Sequence, residues 1–247
     1  VSGRSEKMSK SRKNVVDPET IITTYGADTA RLFMLSDSPA ARDLEWTDAG
    51  IEGAWRYTNR LWRMIAEPEF PLAAAAADAP DLFDDAAEEV LRKIHRTIAD
   101  VSSDFDAFRF NRAVARIREL TNALASLDGD SADRAWTRRF GFETTAQLIA
   151  PVMPHLAEEL WSILGHKTLL SDTAWPIADE AHLSEETVTI AVQVNGKLRG
   201  TIDLPVDVDK QIAEDRALAL ENVARATGGA APRKVIVVPN KVINVVL

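Results

Sequence analysis

Two lysines and two serines are interleaved around one methionine near the start of the chain, in the segment Lys7-Met8-Ser9-Lys10-Ser11. Each lysine carries a compact ammonium charge on a flexible stem, which can follow phosphate oxygens as negative charge moves during a reaction. Serine hydroxyls and backbone N–H groups add directional hydrogen-bond donors. These residue types predict a loop that binds an anionic ligand such as a triphosphate. A run of solvated charges is the alternative interpretation of an isolated K-x-x-K string.

The segments that follow this loop resemble a known family. The Lys-Met-Ser-Lys-Ser sequence, then Asn-Val-Val-Asp-Pro at 14–18 and Tyr-Gly-Ala-Asp-Thr-Ala-Arg at 25–31, is similar to the second signature of the class I aminoacyl-tRNA synthetases. Residues 42–57, 192–200 and 235–241 are similar to the leucyl-tRNA synthetases of bacterial type. The opening signature is shared with the valine, isoleucine and methionine enzymes, whereas the two ends together single out the leucine branch.

The resemblance implies that residues 7–11 form an ATP-binding loop, which we call the KMSKS loop. The residues implied for ATP binding are Lys7, Met8, Ser9, Lys10 and Ser11. In the family this loop closes over ATP, bound with Mg²⁺, and stabilises the departing pyrophosphate, so Lys7 and Lys10 are the implied catalytic residues and Lys10 is the closer to the phosphates. One departure is visible, because the family often has glycine before the asparagine and Lys13 precedes Asn14 here.

The other ATP-binding signature of the class is a His-x-Gly-His element. None of the four histidines of the chain lies in such an element. The nucleotide-binding sheet, the leucine pocket and the proofreading domain of the family would all precede Val1. The resemblance therefore implies the C-terminal portion of a ligase, which is inactive alone and holds no cofactor stably.

Composition excludes several classes of protein. The 247 residues include no cysteine, so disulfides and thiolate zinc sites are excluded. No signal-peptide pattern or membrane-length apolar run occurs, and a cytoplasmic protein is expected. The net charge of −9 is uneven, because residues 1–13 carry five basic residues against one acidic and residues 187–247 carry eight against six. Contact with nucleic acid through selected basic patches is therefore compatible with an acidic chain.

Apolar residues at helical spacing predict that the first two thirds of the chain are helical. Asp17-Pro18 is typical of a helix start, and Gly26 of a left-handed cap before a second helix. Thr47 is expected to cap a helix that ends before Pro68. The buried stripe predicted for that helix comprises Ile51, Trp55, Leu61, Trp62 and Ile65. Further helices are predicted over residues 28–36, 82–104, 110–127, 133–149 and 155–164, and residues 68–80 are predicted to be a loop or a mobile linker.

The pattern changes at Thr187, where apolar residues begin to alternate with smaller or polar ones. Asn195-Gly196 is a strong two-residue hairpin turn. A helix is predicted over residues 209–226 and a second hairpin over residues 234–246. The fold class predicted is mainly α, an antiparallel α-helical bundle of the class I anticodon-binding type followed by a small α+β domain.

Four segments are predicted along the chain. Residues 1–45 are the tail of a catalytic domain with the KMSKS loop, and residues 46–172 are the helical anticodon-binding-type domain. Residues 173–186 are a linker that permits motion, and residues 187–247 are a tRNA-binding α+β domain.

Basic side chains on two surfaces are candidates for contact with tRNA. Arg56, Arg60 and Arg63 recur at i, i+4 and i+7 and share one helical face, which either contacts phosphates or is simply solvated. The candidates in the last domain lie near turns or strand ends and are Lys197, Arg199, Arg233, Lys234 and Lys241. The resemblance implies that this domain reaches the corner of the tRNA. The alternative is that these lysines discourage sheet-to-sheet aggregation.

Other constellations are interpreted as structural. A second arginine cluster is expected to be a solvated face and comprises Arg109, Arg112, Arg116 and Arg118. His155, with Glu158 and Glu159, is expected to pack the bundle rather than to bind metal, so no metal site is predicted. Tryptophans in the predicted helices are expected in the core.

The predicted function is that of the C-terminal part of a ligase of the leucine branch. The full enzyme is expected to be a monomer that uses ATP and leucine and binds tRNA(Leu). A class I ligase for valine or isoleucine and a non-catalytic tRNA-binding module are the alternatives. Valine enzymes usually end in a helical coiled coil and isoleucine enzymes often in a zinc-binding tail, which argues against the first of these.

Overall fold

The computed structural model describes residues 6–39, 41–183, 187–206, 208–228 and 232–247, and the side chains of Lys10 and Pro205 lie outside the described set. The chain divides into two compact units, residues 1–183 and residues 184–247. The finer division into four segments stays a prediction.

The first unit is a bundle of α-helices, as the sequence predicts. Its helices are α1 Pro18–Tyr25, α2 Ala27–Ser36, α3 Asp48–Ala66, α4 Asp85–Asp106, α5 Phe110–Ser126, α6 Ala132–Ile149 and α7 Pro154–Ile163. Short 3-10 turns lie at Lys10–Arg12, Leu170–Asp172 and Glu180–His182. The predicted caps form, because the Asp17 carboxylate accepts from Glu19 N–H at 3.2 Å and the Thr47 hydroxyl from Gly50 N–H at 3.1 Å. None of the helices in the described part of the chain is long and apolar enough to cross a membrane.

The predicted stripe of α3 is partly wrong. Ile51, Leu61 and Ile65 are buried, but Trp55 is 39% exposed and packs edge-on against Tyr25. The buried positions between Ile51 and Leu61 are Ala54 and Tyr57. Trp55 therefore lies beside the core, against Tyr25 of α1, whereas Trp62 is partly buried and packs against the core.

Gly26 joins α1 to α2 but is not the left-handed cap that the sequence predicts. Its φ is +85° and its ψ is 155°, so the backbone is extended rather than helical. Its N–H donates to Ile22 O at 2.9 Å and its carbonyl accepts from Ala30 N–H at 3.3 Å. This region of backbone space is essentially restricted to glycine, which lets one residue end a helix and begin the next.

Residues 68–80 form an anchored loop and not a mobile linker. Ala73 N–H donates to Ala135 O at 3.1 Å, and the Trp136 indole donates to Ala77 O at 3.0 Å. The Arg138 guanidinium donates to Pro71 O at 2.7 Å from a side chain buried in α6. The loop is therefore held along its length by α6.

Residues 173–183, within the segment predicted to be a linker, pack against α4. The Trp175 indole donates to the Ser102 hydroxyl at 2.8 Å, and Asp179 N–H donates to His95 Nδ1 at 3.2 Å. The His182 ring stacks on the His95 ring with centroids 4.7 Å apart. The rest of the predicted linker, residues 184–186, lies outside the described residues.

Acid should weaken the packing of residues 173–183 against α4. Burial lowers the pKa of His95, and His182 lowers it further while Asp179 opposes the change. Since the unfolded chain then binds the proton more readily, the contribution of His95 to stability is complete above its ordinary pKa of about 6.5 and is lost as the pH falls below it. We expect His95→Asn, whose amide oxygen can accept from Asp179 N–H without titrating, to lose less stability than the wild type between neutral and mildly acidic pH in urea unfolding. Equal losses would contradict this expectation.

The second unit is a four-stranded sheet covered on one face by two helices. Its elements are β1 Thr187–Val194, β2 Lys197–Pro205, α8 Lys210–Leu218, α9 Glu221–Thr227, β3 Lys234–Val238 and β4 Val242–Val246. The strand order is β2-β1-β4-β3, with two antiparallel hairpins joined by a parallel pairing of β1 with β4. Ile190, Val192 and Ile243 are among the side chains that form its buried core.

The single helix predicted over residues 209–226 is wrong in one respect. The chain leaves helical geometry at Ala219–Leu220 and begins again at Glu221. The two helices pack on different strands, since α8 contacts β3, β4 and also β2, whereas α9 contacts β1 and β2.

Candidate functional site

The KMSKS loop is a compact turn held by one asparagine that follows it in the chain. Asn14 Oδ1 accepts from Ser9 N–H at 2.8 Å, and Asn14 Nδ2 donates to Lys7 O at 3.3 Å. Arg12 N–H donates to Ser9 O at 3.1 Å, which closes the 3-10 turn.

The side chains of this loop remain available to a ligand. Lys7, Met8 and Ser11 are exposed, and the hydroxyls of Ser9 and Ser11 lie 3.1 Å apart. The Lys10 side chain lies outside the described residues, although its backbone begins the 3-10 turn. The loop therefore presents an ammonium and two adjacent hydroxyls to solvent, a set of donors suited to phosphate oxygens.

Lys13 occupies the position where the family often has glycine, and its backbone is left-handed with a φ of +55°. A left-handed conformation costs a non-glycine residue roughly 1–2 kcal/mol. The departure noted in the sequence thus falls on a residue whose backbone favours glycine. The loop keeps its turn in spite of this cost, and contacts elsewhere in the loop must offset it.

The structure leaves Arg56, Arg60 and Arg63 on the exposed face of α3. Arg56 pairs with Glu52 one turn earlier at 3.8 Å. Arg60 and Arg63 border a cavity of about 440 Å³ whose other lining residues include two glutamates and apolar side chains. The local charge is therefore mixed, and contact of this face with tRNA stays a prediction.

The second arginine cluster is not a simple solvated face. Asp104, whose side chain is only 1% exposed, lies 2.9 Å from Arg109 Nε, 3.5 Å from Arg112 Nε and 2.8 Å from Arg116 Nε. Arg118 lies over the Tyr57 ring at 4.7 Å. The prediction missed Asp104, although arginines at i, i+3 and i+7 on one helix face could have indicated a shared partner. These charges tie α4 to α5.

His155 and Glu158 have structural partners. Asp28 Oδ1 lies 2.9 Å from His155 Nδ1, and Asp28 Oδ2 accepts from Leu156 N–H at 2.6 Å. Glu158 accepts from Leu170 N–H at 2.7 Å, and this bond is the main cause of its lowered pKa. Within the described ranges, no group of three potential ligands could hold a metal ion.

The structure brings together four of the five basic candidates in the second unit, and all five are exposed. At one end of the sheet, Val194 of β1 pairs with Lys197 of β2 and with Val245 of β4. The neighbour of Val245, Val246, pairs with Lys234 of β3. We call this end of the sheet the basic end, and its residues are Lys197, Arg199, Arg233 and Lys234. Lys241 lies apart, in the turn that joins β3 to β4.

Two family models match the chain. The model described as the anticodon-binding domain of tRNA ligase covers residues 87–214, and that of the class I tRNA synthetases for I, L, M and V covers residues 1–47. Because the first covers more than half of the chain, the chain belongs to the anticodon-binding domain family of the tRNA ligases.

Within this class, two similar relatives are leucine–tRNA ligases. The chain is 60% identical to the leucine–tRNA ligase of Paramagnetospirillum magneticum over 99% of its own length and 28% of that protein. It is 57% identical to the leucine–tRNA ligase of Rhodospirillum rubrum over the same shares. The chain thus spans little more than a quarter of these relatives. The predicted resemblance to the leucine branch is confirmed, and the valine and isoleucine alternatives are not favoured.

Solved structures agree in fold. The LeuRS–tRNA–LeuAMS ternary complex of Agrobacterium radiobacter K84 matches with a TM-score of 0.81 and 29% identity, over 97% of this chain and 30% of that one. A methionyl-tRNA synthetase of Mycobacterium tuberculosis matches with a TM-score of 0.52 at 24% identity over 64% of this chain and 36% of that one, which shows the fold alone.

Proposed function

We propose that this chain is the part of a leucine–tRNA ligase that supplies the KMSKS loop and surfaces for tRNA. The full-length protein would activate leucine with Mg-ATP and then transfer it to the terminal ribose of tRNA(Leu). The observation that carries the proposal is the 60% identity to a leucine–tRNA ligase along 99% of the chain. Lacking a His-x-Gly-His element, the chain alone would be inactive.

In this proposal the KMSKS loop stabilises the leaving group of the first step. A carboxylate oxygen of leucine attacks the α-phosphorus of ATP, and the bond from that phosphorus to the bridging oxygen of pyrophosphate breaks. Negative charge therefore grows on pyrophosphate in the transition state. The ammonium groups of Lys10 and Lys7 would stabilise that negative charge. The Ser9 and Ser11 hydroxyls and Met8 would complete the site. Fixed donors aimed at developing charge lower a barrier more than they strengthen ground-state binding.

Contact with tRNA is proposed at the basic end of the second unit. Its four side chains are exposed and lie at one end of the sheet, where they can reach phosphates without reading bases. Lys241 and the arginines Arg56, Arg60 and Arg63 are the further candidates. A monomeric protein of the cytoplasm fits this function, since its substrates are tRNA, ATP and a free amino acid.

The test is the attachment of labelled amino acid to bulk tRNA by the full-length protein, with leucine and valine assayed in parallel. We expect charging with leucine, little with valine, and none by the 247-residue chain alone. Charging with valine above leucine would overturn the proposal, and so would charging by the isolated chain.

A further inference from the structure

We propose that Asn14 is a positioning residue that holds the KMSKS loop in the conformation needed for its lysines to meet the phosphates of ATP. This inference rests on the proposed function of the loop. Asn14 itself lies after the loop and need not touch the nucleotide. Its effect would be exerted through the backbone of Lys7 and Ser9.

The side-chain amide of Asn14 makes two contacts that converge on the same half of the loop. Its oxygen accepts from Ser9 N–H at 2.8 Å, and its nitrogen donates to Lys7 O at 3.3 Å. These two backbone groups flank Met8. One planar group thus sets the direction of the chain between the two lysines, and only an amide offers an acceptor and a donor at this length.

The backbone of Lys13 makes the role of Asn14 necessary. The positive φ of Lys13 turns the chain so that the next side chain folds back over the loop. Because this conformation is unfavourable for lysine, the turn needs interactions that offset it. Asn14 supplies two of them. Ser9 supplies others, since its hydroxyl and carbonyl lie 3.3 and 3.1 Å from Arg12 N. Arg12 also pairs with Glu6 at 3.4 Å, but both side chains are more than half exposed and contribute little.

Loss of Asn14 should therefore loosen the loop without removing a group that binds ATP. In Asn14→Ala, Ser9 N–H loses its acceptor and Lys13 can relax to a negative φ. The ammonium groups then sample a wider range of positions, and fewer of these positions meet the leaving pyrophosphate. Two hydrogen bonds of ordinary strength correspond to roughly a tenfold change in rate.

The experiment measures leucine-dependent ATP–pyrophosphate exchange by the full-length protein. The variants are Asn14→Ala, Lys7→Ala as a reference for the loop itself, and Asn122→Ala as a matched control, since Asn122 is an exposed asparagine on α5. Amide hydrogen exchange of Ser9 and the thermal unfolding midpoint are measured on the same samples. These two measurements distinguish a local loosening of the loop from a general loss of stability as the cause of a lower rate.

We expect Asn14→Ala to lower kcat about tenfold, with the KM for leucine and the unfolding midpoint unchanged. Ser9 amide exchange should become faster, and Asn122→Ala should match the wild type. A wild-type rate in Asn14→Ala with an impaired Lys7→Ala would overturn the inference and leave the proposed function standing. Wild-type rates in both would overturn the proposed function as well. A lower unfolding midpoint with unchanged Ser9 exchange would show that Asn14 supports the fold instead.

Discussion

Replacement of Gly141 by alanine should lower the free energy of unfolding of the helical unit by about 1–3 kcal/mol. Gly141 lies in α6 where this helix meets α4 and α5. An added Cβ would overlap Leu124 Cδ2 and lie only 3.2 Å from Ile94 Cδ1. Both neighbours are buried in the core, so neither can move away without disturbing the packing of three helices.

Gly53 provides the matched control for this substitution. It lies inside α3, and a Cβ there would have only the Arg56 guanidinium nearby, at 3.7 Å. We expect Gly53→Ala to leave the free energy of unfolding unchanged or to raise it by up to about 1 kcal/mol, since alanine favours a helix more than glycine does. The measurement is urea unfolding followed by helical circular dichroism. If Gly53→Ala proved as destabilising as Gly141→Ala, close helix packing at Gly141 would not be the cause.

Local signals were enough to predict most of the fold. Asp17-Pro18 and Thr47 begin helices as expected because a cap depends on residues within one turn. Asn195-Gly196 makes the predicted hairpin because both residues tolerate a positive φ, here 47° and 77°. These features need no information from the rest of the chain.

Features set by distant partners could not be predicted in the same way. Which side of α3 is buried depends on α2 and α7, the helices that pack against it, so the sequence favoured Trp55 over Tyr57. The break at Leu220 depends on the strands against which α8 and α9 pack. The arginines around Asp104 were assigned to a solvated face because the acid comes from another helix. The KMSKS loop could be predicted only in part. Its residue types indicate its chemistry, but the role of Asn14 depends on the backbone of Lys13.

Replacement of Lys10 by alanine in the full-length protein should have the largest effect on activity. Removal of a fixed charge that stabilises a leaving group typically lowers kcat by about a hundredfold to a thousandfold. The KM for leucine should change little, because leucine binds elsewhere in the proposed enzyme. Lys167→Ala is the control, since Lys167 is exposed in the segment after α7 and belongs to no proposed site.

The most direct test is therefore the rate of leucine-dependent ATP–pyrophosphate exchange by the wild type, Lys10→Ala and Lys167→Ala. If the KMSKS loop binds the phosphates of ATP, we expect slow exchange by Lys10→Ala and exchange by Lys167→Ala as fast as that of the wild type. Full exchange by Lys10→Ala would contradict the assignment of the KMSKS loop to the chemistry of the ligase.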